Sequence, residues 1–483
     1  MKKRRRYLFY LLPTAIVVST IVISVIFGNT IFHLNTKADP APTSMGNVQK
    51  LSDLTVLPLH PLWTQAVDMT TTTPALPACL KQTTLPRCFS PQQMRQAYGV
   101  QPLLDTKITG KGRTITLIEE FQDPTILSDL QLFDKLFGLP DPQLKVLTPF
   151  GSTPFDAKNP LHTAFAVETA LDVEWAHAMA PDAAIVVVQG NPKDVSGKGQ
   201  LTALFQAAQF AVQHNIGDVI SMSFGDSEQC LGADFIKQIH PIFQQARDQK
   251  QTVLASAGDI GSADRVCDAK GKVVTVTQGA SYPASDPLIT AVGGTTLTTG
   301  QDGTYQSETT WNDSNQGKGA TGGAFSSIFA QPDYQQKDIA SKTRGLSDLS
   351  FDASPTTGAM VVTGSGQPGK TLLVPVGGTS LGSPAVAGLI ALFDQANGKR
   401  LGFLNNALYR ISDNAPAYAS TFHDIQSGDN GVTFLDDNNK LLNVAGFHAG
   451  PGWDAPTGVG TPNVSGLLLI LPQFIKANDG SSL

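Results

Sequence analysis

Short apolar runs alternate with longer stretches of helical period along most of the chain. Strand-like runs fall at 114–118, 184–188, 218–222, 252–256, 288–292 and 359–362. Between them Leu201, Leu204, Phe205, Ala208 and Val212 recur at helical spacing, as do Phe235, Ile239, Ile242 and Phe243. Strands alternating with helices predict an α/β fold with a parallel sheet covered on both faces. Such folds gather their functional groups beyond the carboxyl ends of the strands. The stretch from Phe89 to Gly99 predicts an N-capped short helix closing at a glycine.

The N-terminus reads differently. Lys2-Lys3-Arg4-Arg5-Arg6 precedes an uncharged, mostly apolar run from Tyr7 to Phe32. A membrane span needs about 20 apolar residues, so 7–32 predicts a signal anchor with the basic tail, 1–6, in the cytoplasm. Everything after it would lie outside the cell, or be secreted if the segment is cleaved. Residues 33–85 are rich in Pro and Thr without a period and predict a linker. The folded domain is expected over 86–475, with a tail at 476–483.

Charged residues make up only 15% of the chain, and 45 Gly and 31 Pro imply many turns. Net charge is −6 and no basic stretch follows the first residues, which argues against nucleic acid as a partner. The four cysteines allow three pairings. Cys79 with Cys88 and Cys230 with Cys267 is the preferred one, given an oxidising compartment outside the membrane.

Candidate chemistry centres on Gly377-Gly378-Thr379-Ser380, followed by a small-residue apolar helix running to about Gln395. The glycines allow a tight turn, and Ser380 falls at a helix N-terminus, where backbone N–H groups could receive an oxyanion. Pro384 is expected within the first helical turn, which needs no N–H from it. Alone, such a serine reads as a helix cap. A second feature changes that weighting. Glu168 and Asp172 lie four apart on an expected helix at 162–176, among Ala166, Val167, Leu171 and Val173. Two acids on one buried face need partners, and their proximity raises one pKa, so they can share a proton. Glu119 and Glu120 follow the first strand, Asp226 follows Ser221-Met222-Ser223-Phe224-Gly225, and Asp259 lies in Ser256-Ala257-Gly258-Asp259. Each of these alone reads as a solvated loop carboxylate.

Together the motifs resemble the sedolisin family of serine-carboxyl peptidases over roughly 89–462. Glu168-Thr169-Ala170-Leu171-Asp172 is similar to the family's acid helix, Gly378-Thr379-Ser380 to its nucleophile motif, and Ser256-Ala257-Gly258-Asp259 to its oxyanion loop. Tyr282-Pro283-Ala284-Ser285-Asp286-Pro287, Ala291-Val292-Gly293-Gly294-Thr295, Trp311-Asn312 and Gly322-Gly323 follow in the family's order. The resemblance implies a subtilisin-like fold and serine endopeptidase activity in acid, in a monomer acting on protein or peptide substrates. It implies Ser380 as nucleophile, Glu168 as general base, Asp172 as the residue orienting it, Asp259 as oxyanion donor and Glu119 as a supporting acid on Asp172. It also implies one structural Ca²⁺, held by the carboxylates of Asp424 and Asp454 and the carbonyls of Ile425, Gly450 and Gly452.

Acid suits that set. At pH 4 a histidine of pKa about 6.5 is neutral in roughly three molecules per thousand, whereas an ordinary glutamate is about one-third ionised. An aspartic acid can donate to an oxyanion only when protonated, which an ordinary one is in about half of molecules at pH 4. A Ser-His-Asp hydrolase would need a placed histidine, and no His-Gly-Thr-His stretch occurs. His162 reads as a capping or packing residue. Two departures stand out. Phe224 replaces the family's usual tryptophan, and only 33–85 lies where relatives carry a large pro-domain. A catalytically silent surface-binding module of the same fold is the alternative.

Overall fold

β-branched and aliphatic side chains build the centre of the fold. In a computed structural model, residues 48–51, 60–61, 66–70, 76–436 and 438–476 are described. The expected basic tail, the expected anchor at 7–32 and residues 477–483 lie outside the described residues. Among the described residues no helix is long and apolar enough to cross a membrane.

The main sheet consists of Thr114–Glu120 (β1), Leu144–Leu147 (β2), Ala184–Gly190 (β3), Val219–Met222 (β4), Thr252–Ser256 (β5), Thr290–Thr299 (β6), Tyr305–Thr310 (β7) and Leu349–Asp352 (β8). Its order is β7-β6-β5-β4-β1-β3-β2, with β8 also beside β6. All pairings are parallel except β6 with β7. Alternation along the strands divides the core. Ile115, Leu117, Ile185, Val187 and Val219 pack on one face with Pro160–Met179 (α2) and Thr379–Ala396 (α5). Ile118, Val188, Ile220 and Met222 pack on the other with Gly197–Gln213 (α3) and Ala233–Asp248 (α4). A further helix, Ile126–Phe137 (α1), packs beside α2. The expected α/β architecture is thus present.

The helix expected at 162–176 is longer, and every residue from Phe165 to Met179 is buried. A helix apolar nearly all round belongs in the interior, so the acids it carries are interior acids. It crosses α5 closely. A Cβ on Gly388 of α5 would stand 2.6 Å from the Met179 Cβ and 3.0 Å from Ala176 O, so only glycine permits this approach.

Three elements differ from the sequence reading. The run at 359–362 is not in the main sheet. Ala359–Thr363 (β9) pairs antiparallel with Leu372–Gly377 (β10) in a separate hairpin. Periodicity identifies a strand but not its partner. Strands β2 and β8 are four residues each, too short to carry a period of their own. Lastly, parts of the stretch read as a linker lie on the domain. Val67–Asp68 and His60–Pro61 pair with β10, and Leu51, Met69 and Cys79 are buried. Pairing segments of two residues leave no periodic trace in the sequence. Both expected disulfides, Cys79–Cys88 and Cys230–Cys267, are present, and the Ser90/Gln93 capping box opens Pro91–Ala97 as expected.

Candidate active site

The turn into α5 is forced by close approach. A Cβ on Gly377 would lie 2.4 Å from Pro355 N, and Gly378 adopts φ +118°, where a side chain is strained. Gly378 N donates to Ala353 O at 2.6 Å. Ser380 is then the second residue of α5 and fully buried. Pro384 does not fall in the first turn as expected. It sits inside α5, where its missing N–H leaves Ser380 O without the usual i+4 donor.

Three adjacent strands bring polar groups to this point from their carboxyl ends. Glu119 is near the end of β1, Ser223 follows β4, and Asp259 lies in the loop after β5. On α2, Glu168 is 1% exposed and Asp172 is fully buried. Burial raises the Glu168 carboxyl well above its usual range, and the charge of Asp172 raises it further. The Ser380 hydroxyl faces it closely enough to oppose that rise, without a well-formed hydrogen bond between them. Loose pairs of this kind tighten when substrate completes a site.

Asp172 is also raised by burial, to about 7, but two donors restrain it. Ser223 Oγ lies 3.0 and 2.9 Å from its two oxygens, and 3.4 Å from Ser380 O. The second donor is Glu119, itself raised well above its usual range by burial, the charges of Asp172 and Glu168, and its hydrogen bond to Asp172. Glu119 therefore keeps a proton that Asp172 accepts. The three acids titrate as one unit.

Across from them, Asp259 Oδ1 accepts from Thr379 N at 2.9 Å and Thr379 Oγ1 at 2.7 Å. Gly258 N donates to Thr379 Oγ1 at 3.1 Å. The charge of Asp259 reaches Glu168. A Cβ on Gly322 would come within 2.0 Å of Ala257 O, so only a glycine there lets the segment before Phe325–Ala330 press on the loop. Ser380, Glu168, Asp172, Glu119 and Asp259 thus converge.

Comparison with known proteins gives the family to which this fold belongs. The profile of the subtilase family (Peptidase_S8) matches residues 162–412. The chain is 39% identical over 292 residues to sedolisin of Pseudomonas sp. (strain 101), covering 59% of this chain and 45% of sedolisin. It is 33% identical over 406 residues to kumamolisin of Bacillus sp. (strain MN-32), covering 82% of this chain and 66% of kumamolisin. A solved structure of Pseudomonas sedolisin (serine-carboxyl proteinase), complexed with two molecules of pseudo-iodotyrostatin, aligns with TM-score 0.65 and 30% identity. That alignment covers 80% of this chain and 98% of the other.

The chain belongs to the sedolisin family. It spans 45% and 66% of the lengths of the two curated relatives.

Several candidate residues stand apart from this cluster. Glu120 Oε2 accepts from Gln200 at 2.9 Å and is raised to about 8 by burial. Asp226 pairs with Arg265. His162 Nδ1 accepts from Asp156 N at 3.0 Å and packs on Phe121, as its packing role predicted. Phe224 packs against Phe205, whose ring also meets Tyr282. Sequence reasoning overlooked Ser223 and Thr379. Their signal was positional, since one follows the carboxyl end of a strand and the other opens the helix that carries Ser380.

The residues expected to hold calcium also come together. Asp424 Oδ1 accepts from Tyr418 Oη at 2.9 Å and Gly452 N at 3.0 Å. Asp454 Oδ2 accepts from Gly450 N at 3.1 Å. Burial raises Asp454 to about 6, and the charge of Asp424 adds to it, so the carboxylates are neighbours. Gly452 has φ +82°, which frees its peptide to turn. Among the described residues no group of three or more His, Cys, Asp or Glu could hold a metal. The expected donors are all oxygens, the chemistry a hard cation takes, while in this structure the carboxylate oxygens accept from the Gly450 and Gly452 N–H groups, Tyr418, Gln426 and Thr457.

Proposed function

We propose that the chain is a serine endopeptidase that hydrolyses peptide bonds in acid, through an acyl-enzyme on Ser380. The observation that carries this reading is the buried Ser380 hydroxyl facing Glu168, which shares a proton-linked cluster with Asp172 and Glu119. Over the acid range the cluster carries fewer charges than carboxyls. In the reactive form the charge rests on Glu168, which accepts the Ser380 proton as Oγ attacks the carbonyl carbon. Asp172, held by Ser223 and Glu119, fixes the base and stabilises the state in which Glu168 has gained the proton. Protonated Asp259 donates to the developing oxyanion, held in place by its two hydrogen bonds from Thr379. Glu168 then returns the proton to the leaving amine, and water repeats the sequence to release the acyl group.

The engagement of histidines elsewhere supports a carboxylate base. His177 sits against Asp134, His240 against Asp286, and His423 stacks on Tyr305. A catalytically silent binding module has no specific observation in its favour, because every position the chemistry needs is filled. The reading is tested with a peptide aldehyde, whose carbonyl carbon adds to a serine hydroxyl. At pH 4 the protein is expected to bind it at least about 100-fold more tightly than Ser380→Ala does, measured by calorimetry. Equal affinity would remove Ser380 from the chemistry.

Asp424, Asp454 and the carbonyls of Ile425, Gly450 and Gly452 are proposed to hold one Ca²⁺. The ion would supply charge that keeps two neighbouring carboxylates together. Added calcium at about a hundred times its Kd is expected to stabilise the fold by about 2.7 kcal/mol, read by thermal unfolding with and without a chelator. Asp454→Asn should lose that response. The apolar run at 7–32, behind five basic residues, is proposed to anchor the chain in a membrane with the domain outside.

A further inference from the structure

A further buried acid on α2, Glu174, meets acids carried by α1. Glu174 is fully buried, its Oε2 accepts from Val362 N at 2.9 Å, and its Oε1 has no partner. Asp129 on α1 accepts from Gly364 N at 2.8 Å. Trp175 Nε1, next to Glu174, donates to Met360 O at 3.0 Å. Residues 360 and 362 lie along one edge of β9 and Gly364 just past its end, so side chains of α1 and α2 take the place of a neighbouring strand there. The same hairpin continues through β10 into Gly377 and Gly378, where the nucleophile helix begins. One helix therefore carries the acids that face Ser380 and also grips the hairpin that leads to it.

The grip is crowded with acids. The charges of Asp129 and Asp134 on α1 and of Asp123 in the preceding loop act on Glu174, while His177 lies three residues further along α2 and Arg95, on Pro91–Ala97, reaches the same end of α2 at Ala178. Arg95 Nε is committed to Ala178 O, and His177 Nε2 sits 3.1 Å from Asp134 Oδ1. Asp123 and Glu174 each keep one buried oxygen without a partner. Arg95 Nη2 and His177 Nδ1 are also buried without partners, but the four acids outnumber them, and each further negative charge would oppose the others.

We propose that Glu174 and Asp129 form a protonation-dependent clamp, holding the edge of β9, and through its hairpin Ser380, against α2 in acid and releasing it as pH rises. They are positioning residues, since neither reaches the reacting atoms. Burial raises Glu174 well above its usual range, Asp129 to about 6 and Asp123 to about 7. These folded pKa values lie above those of unfolded carboxyls, so the folded state binds more protons. Stability is then full below about pH 4 and is lost as pH rises through 6 and 7.

The test compares apparent Tm between pH 4 and pH 7, at one scan rate, for the wild type and Glu174→Gln/Asp129→Asn. The amides keep an acceptor for Val362 and Gly364 but cannot ionise. The variant's loss of Tm across this range is expected to be smaller than the wild type's by roughly 2–4 °C. Equal losses, with a constant offset between the two, would mean a merely structural role and overturn the proposal. Should the double variant fail to fold, amide exchange in the wild type decides. Protection at Val362 and Gly364, corrected for intrinsic rate, is expected to fall relative to β1 as pH rises from 4 to 7. Parallel behaviour would overturn it. Neither readout uses catalysis, so the result stands apart from whether Ser380 is the nucleophile.

Discussion

Ser380→Ala is expected to lower peptide hydrolysis at pH 4 by about 10⁴–10⁶-fold while leaving the fold intact, measured as kcat/KM beside a circular dichroism spectrum. The size follows from the role, since without Oγ no acyl-enzyme forms and only binding and oxyanion contacts remain. The fold should tolerate the change because Ser380 Oγ has no well-formed hydrogen bond to lose. The turn that places it depends on Gly377 and Gly378 instead. Activity within about tenfold of the wild type would remove the nucleophile from the account.

Glu168→Gln is expected to cost about 10²–10⁴-fold in kcat, with a smaller effect on KM. Glutamine is nearly isosteric and can still face the serine hydroxyl, but it cannot take the proton. The substitution also removes one of three acids that repel one another, so Asp172 should ionise more readily and the protein should not be destabilised in acid. The signs of the two effects separate a base from a structural acid. A large loss of stability with little loss of kcat would assign Glu168 to the fold alone.

Much of this site was legible in the sequence for a physical reason. Two acids four apart among Ala166, Val167, Leu171 and Val173 already implied buried charge, and the structure buries that helix from Phe165 onward. The nucleophile turn was equally visible, because consecutive glycines before a serine mark a backbone no other residue permits. What escaped reading depended on partners distant in sequence. Ser223 matters because β4 ends beside α2, a consequence of the strand order β5-β4-β1 that no local pattern encodes. Pro384 was misplaced by one turn because the helix start is set by the Gly378 conformation. The pairing of Val67–Asp68 with β10 likewise arises from tertiary contact. Local period could reveal the strands at 114–118 and 252–256, but not which hairpin would border the helices.

The ordinary pKa values used for the sequence also needed revision. An exposed glutamate would be partly ionised at pH 4, but Glu168 is buried beside Asp172 and Glu119. The limbs of a rate profile then belong to the cluster. The first ionisation places one charge in the cluster, and each further one sets like charges together.

The central claim is that a carboxylate, and not a histidine, serves Ser380. The profile of kcat/KM against pH, from about 2.5 to 8 on one peptide substrate, tests it most directly. The account predicts a bell lying in acid, falling about tenfold per pH unit beyond its upper limb, and nearly flattened in Glu168→Gln. A maximum at pH 7–8, with Glu168→Gln retaining the wild-type profile, would contradict it.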